Sequence, residues 1–97
     1  MKTPEKFEKD SIKQYLDSIG AWHFSPYMAG FGKSGVPDIL FCWRGRFGSV
    51  EVKREGKTPT VLQERRLKEI ADAGGISLWG TADRVIPLLR DMLTGLR

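Results

Sequence analysis

Apolar and polar positions along this chain follow two rhythms. Between residues 4 and 19, apolar side chains recur at Phe7, Ile12, Tyr15, Leu16 and Ile19, the spacing of one helix face. Thr3 is placed to cap that helix, Pro4 to open it and Gly20 to end it. The rhythm then changes. Residues 21–27, AWHFSPY, predict a short strand broken at Pro26, and a glycine-rich loop follows with Gly30, Gly32 and Gly35. Pro37 biases Val36 towards extended geometry and suits the start of a strand. Two strands are predicted over about 38–43 and 47–53. A second helix is predicted over 59–73, capped by Thr58, opened by Pro59 and stopped by Gly74 and Gly75. Residues 76–79 supply a fourth strand. Thr81 caps a last helix carrying Val85, Ile86, Leu88, Leu89, Met92, Leu93 and Leu96, with a kink or restart expected at Pro87. The order is α-β-β-β-α-β-α, and a mixed sheet flanked by helices buries it, an α/β fold.

The central hairpin can be registered against itself. Gly45 and Arg46 suit a two-residue turn with glycine first. That turn pairs Arg44 with Phe47, Cys42 with Ser49, Leu40 with Glu51 and Asp38 with Lys53. Alternation along the strands then puts Ile39, Phe41, Trp43, Val50 and Val52 on one wholly apolar face. Asp38, Leu40, Cys42, Ser49, Glu51 and Lys53 share the other. Two carboxylates and a lysine cluster at one end of that face, with Cβ atoms of opposed residues roughly 5 Å apart. A solvated charge ladder is the plain reading; a shared cation is the functional one. On the second helix, Leu67, Ile70, Ala71 and Gly74 form an inward stripe that extends back to Gln63. A half-buried glutamine needs partners. It either bonds nearby backbone or faces the carboxylate cluster.

Composition narrows the chemistry. The chain has 97 residues, length for one domain spanning 1–97, and a net charge of +4. That balance is compatible with a polyanionic partner. Charges interrupt every apolar run, so no membrane span is expected. The N-terminal residues lack a secretory signal, and an intracellular, cytoplasmic location is expected. One His and one Cys exclude a zinc finger, and the lone Cys42 is expected to be a small buried hydrophobe rather than a nucleophile partnered by His23.

Gly35-Val36-Pro37-Asp38, Glu51-Val52-Lys53, and Thr58-Pro59 with Gln63, in that order, resemble the PD-(D/E)xK nuclease superfamily. More narrowly they resemble its VRR-NUC (virus-type replication-repair nuclease) branch in the stand-alone form found in phages. The likeness runs from Thr3-Pro4-Glu5 through the glycine loop to Gly74-Gly75. It implies a restriction-endonuclease-like fold and a metal, Mg²⁺ with Mn²⁺ as substitute, held by Asp38, Glu51 and the Val52 carbonyl. It implies a catalytic role for Lys53 and a supporting one for Gln63. It also implies a glutamate on the first helix near the metal, with Glu5 the first choice and Glu8 the second. Such proteins are expected to be homodimers that cut branched DNA, four-way junctions or flaps, in a phage or bacterial host cell.

The chemistry fits those residue types. Mg²⁺ takes oxygen ligands from one or two carboxylates, waters and substrate phosphate. Lys53 either neutralises charge on the attacked phosphate or helps deprotonate a water. Lys33, Arg54, Lys57 and Arg65 are the expected phosphate contacts, whereas Arg66 and Lys68 are expected to pair with Glu69 and Asp72. Trp22, Phe31 and Trp79 are possible base-stacking residues, though core roles are commoner for tryptophan. A non-catalytic DNA-binding module on the same fold is the alternative. Its weakness is that two carboxylates repel phosphate unless a cation intervenes. An interaction domain with decorative strand charges is a third reading.

Overall fold

The computed structural model describes residues 3–26 and 32–95. Seven elements follow in the expected order: α1 (Pro4–Ser18), β1 (Trp22–Phe24), β2 (Ile39–Trp43), β3 (Arg46–Val52), α2 (Val61–Asp72), β4 (Ile76–Gly80) and α3 (Ala82–Thr94). The strands form one mixed sheet in spatial order β1-β2-β3-β4. The first three are antiparallel neighbours, and β4 lies parallel to β3. This is an α/β restriction-endonuclease-like architecture. Tyr27, the glycine loop through Phe31, and Leu96 lie outside the described residues.

Helices α1 and α3 cover one face of the sheet. Ile12 and Leu16 from α1 and Val85, Leu89 and Leu93 from α3 pack with Ile39, Phe41, Val50, Val52, Ile76 and Leu78 into one apolar cluster. The predicted apolar hairpin face is therefore the core. Phe7 is the exception on α1, 62% exposed and outside that cluster. Helix α3 continues through Pro87 and does not restart there. Proline removes the bond to the Asp83 carbonyl, but both residues are exposed, so water can satisfy that carbonyl.

Helix α2 lies on the other face, over β3 and β4, where Ser77 Oγ donates to the Leu67 carbonyl at 2.7 Å. It starts two residues later than predicted, because Thr60 and not Thr58 is the cap. Leu67 and Ile70 of the expected stripe face inwards, while Ala71 and Gly74 are exposed. Among the described residues, no helix covers this face over β1 and β2. Trp22, Phe24 and Phe47 are consequently exposed, and so is Cys42, which is not the buried hydrophobe expected. His23 pairs with Phe41 across β1–β2 and so lies on the opposite face from Cys42, which excludes a His–Cys dyad. Among the described residues, no helix is long and apolar enough to cross a membrane.

The hairpin register differs from the prediction by two residues. Trp43 pairs with Arg46, Cys42 with Phe47, Phe41 with Gly48 and Leu40 with Ser49. The turn residues are Arg44 and Gly45, both with positive φ (49° and 82°), the mirror-image type I turn whose twist matches the strands. Arg44 stacks its guanidinium 4.6 Å from the centre of the Trp43 ring. An even shift leaves each side chain on its predicted face. It also lays the Phe41 ring across Gly48, where a Cβ would meet the ring at 2.1 Å. Gly48→Ala is expected to destabilise the protein by about 1–3 kcal/mol through overpacking, read as a lower urea midpoint.

Candidate active site

The two-residue shift changes what faces what at the end of the hairpin. Continuing the ladder one pair beyond Ile39–Val50 sets Asp38 against Glu51, not against Lys53. Asp38 is positioned by what precedes it. Gly35 holds a φ of 77° and lies so close to Leu62 that a Cβ would come within 2.7 Å of that side chain. Pro37 is fully buried. The chain thus reaches Asp38 pinned between α2 and the sheet, and Asp38 Oδ2 accepts a 2.9 Å hydrogen bond from the Val52 amide.

Glu51 is only 2% exposed. Its Oε2 lies 3.6 Å from Lys53 Nζ, and its Oε1 has no hydrogen-bond partner. Burial, then the adjacent Asp38 charge and a hydrogen bond to it, push the Glu51 carboxyl up to about 8, against a smaller opposing pull from Lys53. Near neutral pH the pair therefore retains a proton when no cation is present. An orphaned, buried carboxylate oxygen beside a second carboxylate fits a hard divalent cation, which replaces that proton with positive charge.

The helix glutamates separate clearly. Glu8 Oε1 accepts a 2.7 Å hydrogen bond from the Ala82 amide, the first residue of α3, and so caps that helix. Glu5 is exposed. It borders one cleft of about 350 Å³ with Lys53, Arg54, Lys57 and Thr58, and another of about 340 Å³ with Asp38. Among the described residues, no three His, Cys, Asp or Glu side chains converge closely enough to hold one ion. Asp38, Glu51 and Lys53 come together; Glu5 stands at their edge.

Gln63 makes the local bond that is one of its two readings. Its Oε1 accepts from the Thr60 amide at 2.9 Å while Thr60 Oγ1 accepts from the Gln63 amide, a reciprocal cap at the start of α2. Arg54 and Lys57 border the cleft beside Lys53. Lys33 pairs with Glu69 at 3.7 Å, and Arg65 is exposed on α2; neither lines the two clefts at the carboxylates. Arg66 and Lys68 pair with Glu69 and Asp72 as expected. Trp22 is exposed, and Trp79 is partly buried with Arg84 stacked 4.5 Å from its ring centre. Three lysines that the sequence motifs do not single out, Lys6, Lys9 and Lys13, border the Asp38 cleft. Their spacing of three and four along a helix is the signal in the sequence that marks them.

A solved structure described as "VRR_NUC domain" superposes on this chain with a TM-score of 0.79, covering 93% of this chain and 97% of that one at 24% identity. The chain has the VRR_NUC fold. No family model and no curated protein sequence matches it. The VRR_NUC likeness therefore rests on a shared path of the backbone across nearly the whole of both chains.

The Glu51 environment has a measurable consequence. Its carboxyl is raised in the folded protein, so the folded state holds a proton that the unfolded chain has already released between about pH 4.5 and 8. Stability of the metal-free protein is therefore highest at the acid side of that window and falls as pH rises through it. In EDTA the melting temperature is expected to drop by on the order of 10 °C or more from pH 5.5 to 8.5. Glu51→Gln should flatten that slope, and millimolar Mg²⁺ should raise the melting temperature of the unsubstituted protein most at the alkaline end.

Proposed function

We propose that this protein is a metal-dependent, structure-specific endodeoxyribonuclease that hydrolyses phosphodiester bonds in branched DNA. The observation that carries the reading is the buried Glu51 carboxylate, with one oxygen unpartnered, set against Asp38 and Lys53 on a VRR_NUC fold. Asp38, Glu51 and the Val52 carbonyl would hold Mg²⁺ or Mn²⁺. When bound, that ion supplies a more acidic water and charge neutralisation on the phosphoryl oxygens.

The chain's own groups do the rest. The Val52 amide fixes the Asp38 carboxylate, so one of its oxygens is already oriented before substrate arrives. Lys53 brings its ammonium to the same point, for the charge that builds on the attacked phosphate. Glu5, at the rim, is the carboxylate available to a second cation. Gln63, whose oxygen is engaged by Thr60, has its amide nitrogen to offer a ligand or water. Arg54 and Lys57 take backbone phosphates beside the centre, with Lys33 and Arg65 further out on the α2 side.

Each chain supplies one centre, and symmetric incision of a branched duplex needs two, so the reading includes a homodimer. The uncovered apolar face of Trp22, Phe24 and Phe47 is the surface such a contact would bury.

The test is cleavage of labelled four-way junction, flap, single-stranded and linear duplex DNA in EDTA, Mg²⁺ or Mn²⁺. Incision that needs metal and prefers a branched substrate is expected. Asp38→Ala and Lys53→Ala should each lose at least about 10²-fold in rate while still binding DNA. Binding without cutting under any metal would instead make this a DNA-binding module. Sedimentation of the purified protein should show two chains, and a monomer at micromolar concentration would remove the dimer from the reading.

A further inference from the structure

The basic side chains of α1 and of the α2 side differ in how many are paired with acids. On the α2 side each of three has an acidic partner: Lys33 and Arg66 share Glu69, and Lys68 holds Asp72 at 2.7 Å. On α1 the pattern is different. Lys6 reaches Asp10 at 3.4 Å, but Lys9 and Lys13 make no hydrogen bond or ion pair among the described residues, although both are partly buried. Lys6, Lys9 and Lys13 lie on one face of the helix and line a cleft of about 340 Å³ whose far wall is Asp38.

Glu5 and Asp38 share this cleft, but among the described residues neither forms an ion pair with Lys9 or Lys13, so these two ammonium groups repel one another without a direct counter-charge. A helix turn rises about 5.4 Å. One strand of a duplex presents a phosphate roughly every 3.4 Å along its axis. Lys9 and Lys13, one turn apart, are thus spaced for adjacent or alternate phosphates of a single strand. Across the centre, Arg54 and Lys57 border the second cleft beside Lys53.

We infer that the α1 cleft is a binding site for the sugar-phosphate backbone of the strand that is cut, with Lys9 and Lys13 as its phosphate contacts. The strand runs from these lysines across Asp38, Glu51 and Lys53 to Arg54 and Lys57. It leaves the α2 face, where Arg66 and Lys68 are already paired with acids, to outlying contacts from Lys33 and Arg65. This path rests on the nuclease reading, because it places the scissile phosphate at the carboxylates.

The experiment is fluorescence anisotropy with labelled single-stranded and four-way junction DNA in EDTA, over a series of KCl concentrations. The proteins compared are the unsubstituted chain, Lys9→Ala/Lys13→Ala, Lys9→Arg/Lys13→Arg, and Lys68→Ala as a control for the α2 side, where that lysine is paired with Asp72. The alanine pair should raise Kd about tenfold or more near 0.1 M salt. It should also reduce the slope of log Kd against log salt by nearly two on duplex arms, about 0.9 for each phosphate that the protein no longer neutralises. The arginine pair should restore both, and the α2 control should change neither. In Mg²⁺ the alanine pair should show a raised KM with kcat within about twofold, as expected when ground state and transition state are bound equally less well. An unchanged Kd and salt slope in an alanine pair that melts like the parent would overturn the α1 path while leaving the nuclease reading standing. A parent protein that neither binds nor cuts any of these DNAs would overturn both. A reduced slope in the α2 control instead would move the path to the other face.

Discussion

A buried carboxylate near the end of an inner strand organises this molecule. Glu51 sits on a central strand, under a helix, with almost no contact with water. Removing an ionised carboxylate from water is costly unless charge or hydrogen bonds compensate. Lys53 compensates one oxygen and Asp38 makes the problem worse. The metal-free arrangement therefore keeps a proton near neutral pH and comes under electrostatic tension as that proton is lost, and everything that holds Asp38 in place maintains this. The buried Pro37, the left-handed Gly35 against Leu62 and the Val52 amide all act on that one side chain. Sites of this kind are where function and stability pull in opposite directions.

The two faces of the sheet divide the labour. One face is dry and closed by α1 and α3, and it carries the stability. The other is only partly covered, with Ser49 and Ser77 hydrogen-bonded beneath α2, the carboxylates at its upper end, and aromatic rings open to solvent further along. Because strand residues alternate, Val50 and Val52 anchor the core while Glu51 between them faces the other side of the sheet. A conservative core and a charged site are thus written into consecutive residues of β3.

Much of this is legible in the sequence, for identifiable reasons. Periodicity and caps locate the elements, since Thr3 with Pro4 and Thr81 each carry a local signal that tertiary packing does not override. Strand alternation assigns Asp38, Glu51 and Lys53 to one face even with the turn misplaced, because an error of two residues preserves parity. What fails is whatever depends on a choice between near-equal local options. Arg44 accepts a positive φ that sequence alone disfavours, and its stacking on Trp43 is a contact that no spacing rule announces. Thr58 and Thr60 are both good caps, and the glutamine three residues after Thr60 decides between them. Cys42 and Phe7 are exposed because no described element arrives to cover them, a fact of topology rather than of composition. The Glu8 bond to α3 spans 74 positions of sequence and has no local signature at all.

That last bond has a geometric corollary. Lys53 donates its backbone amide to the Gly80 carbonyl, two residues before Ala82, whose own amide is held by Glu8. The end of the sheet, the start of α3 and the first turns of α1 are thereby latched into a single frame. The gap between α1 and the carboxylates is braced at the corner where these three elements meet. On the proposed reading, a nucleic acid entering this braced gap would supply part of the deformation itself. A stiff, fully stacked duplex resists it, whereas a strand at a branch point, already freed from its neighbours, conforms at little elastic cost. On that proposal, discrimination between DNA shapes would originate in part in the mechanics of the substrate.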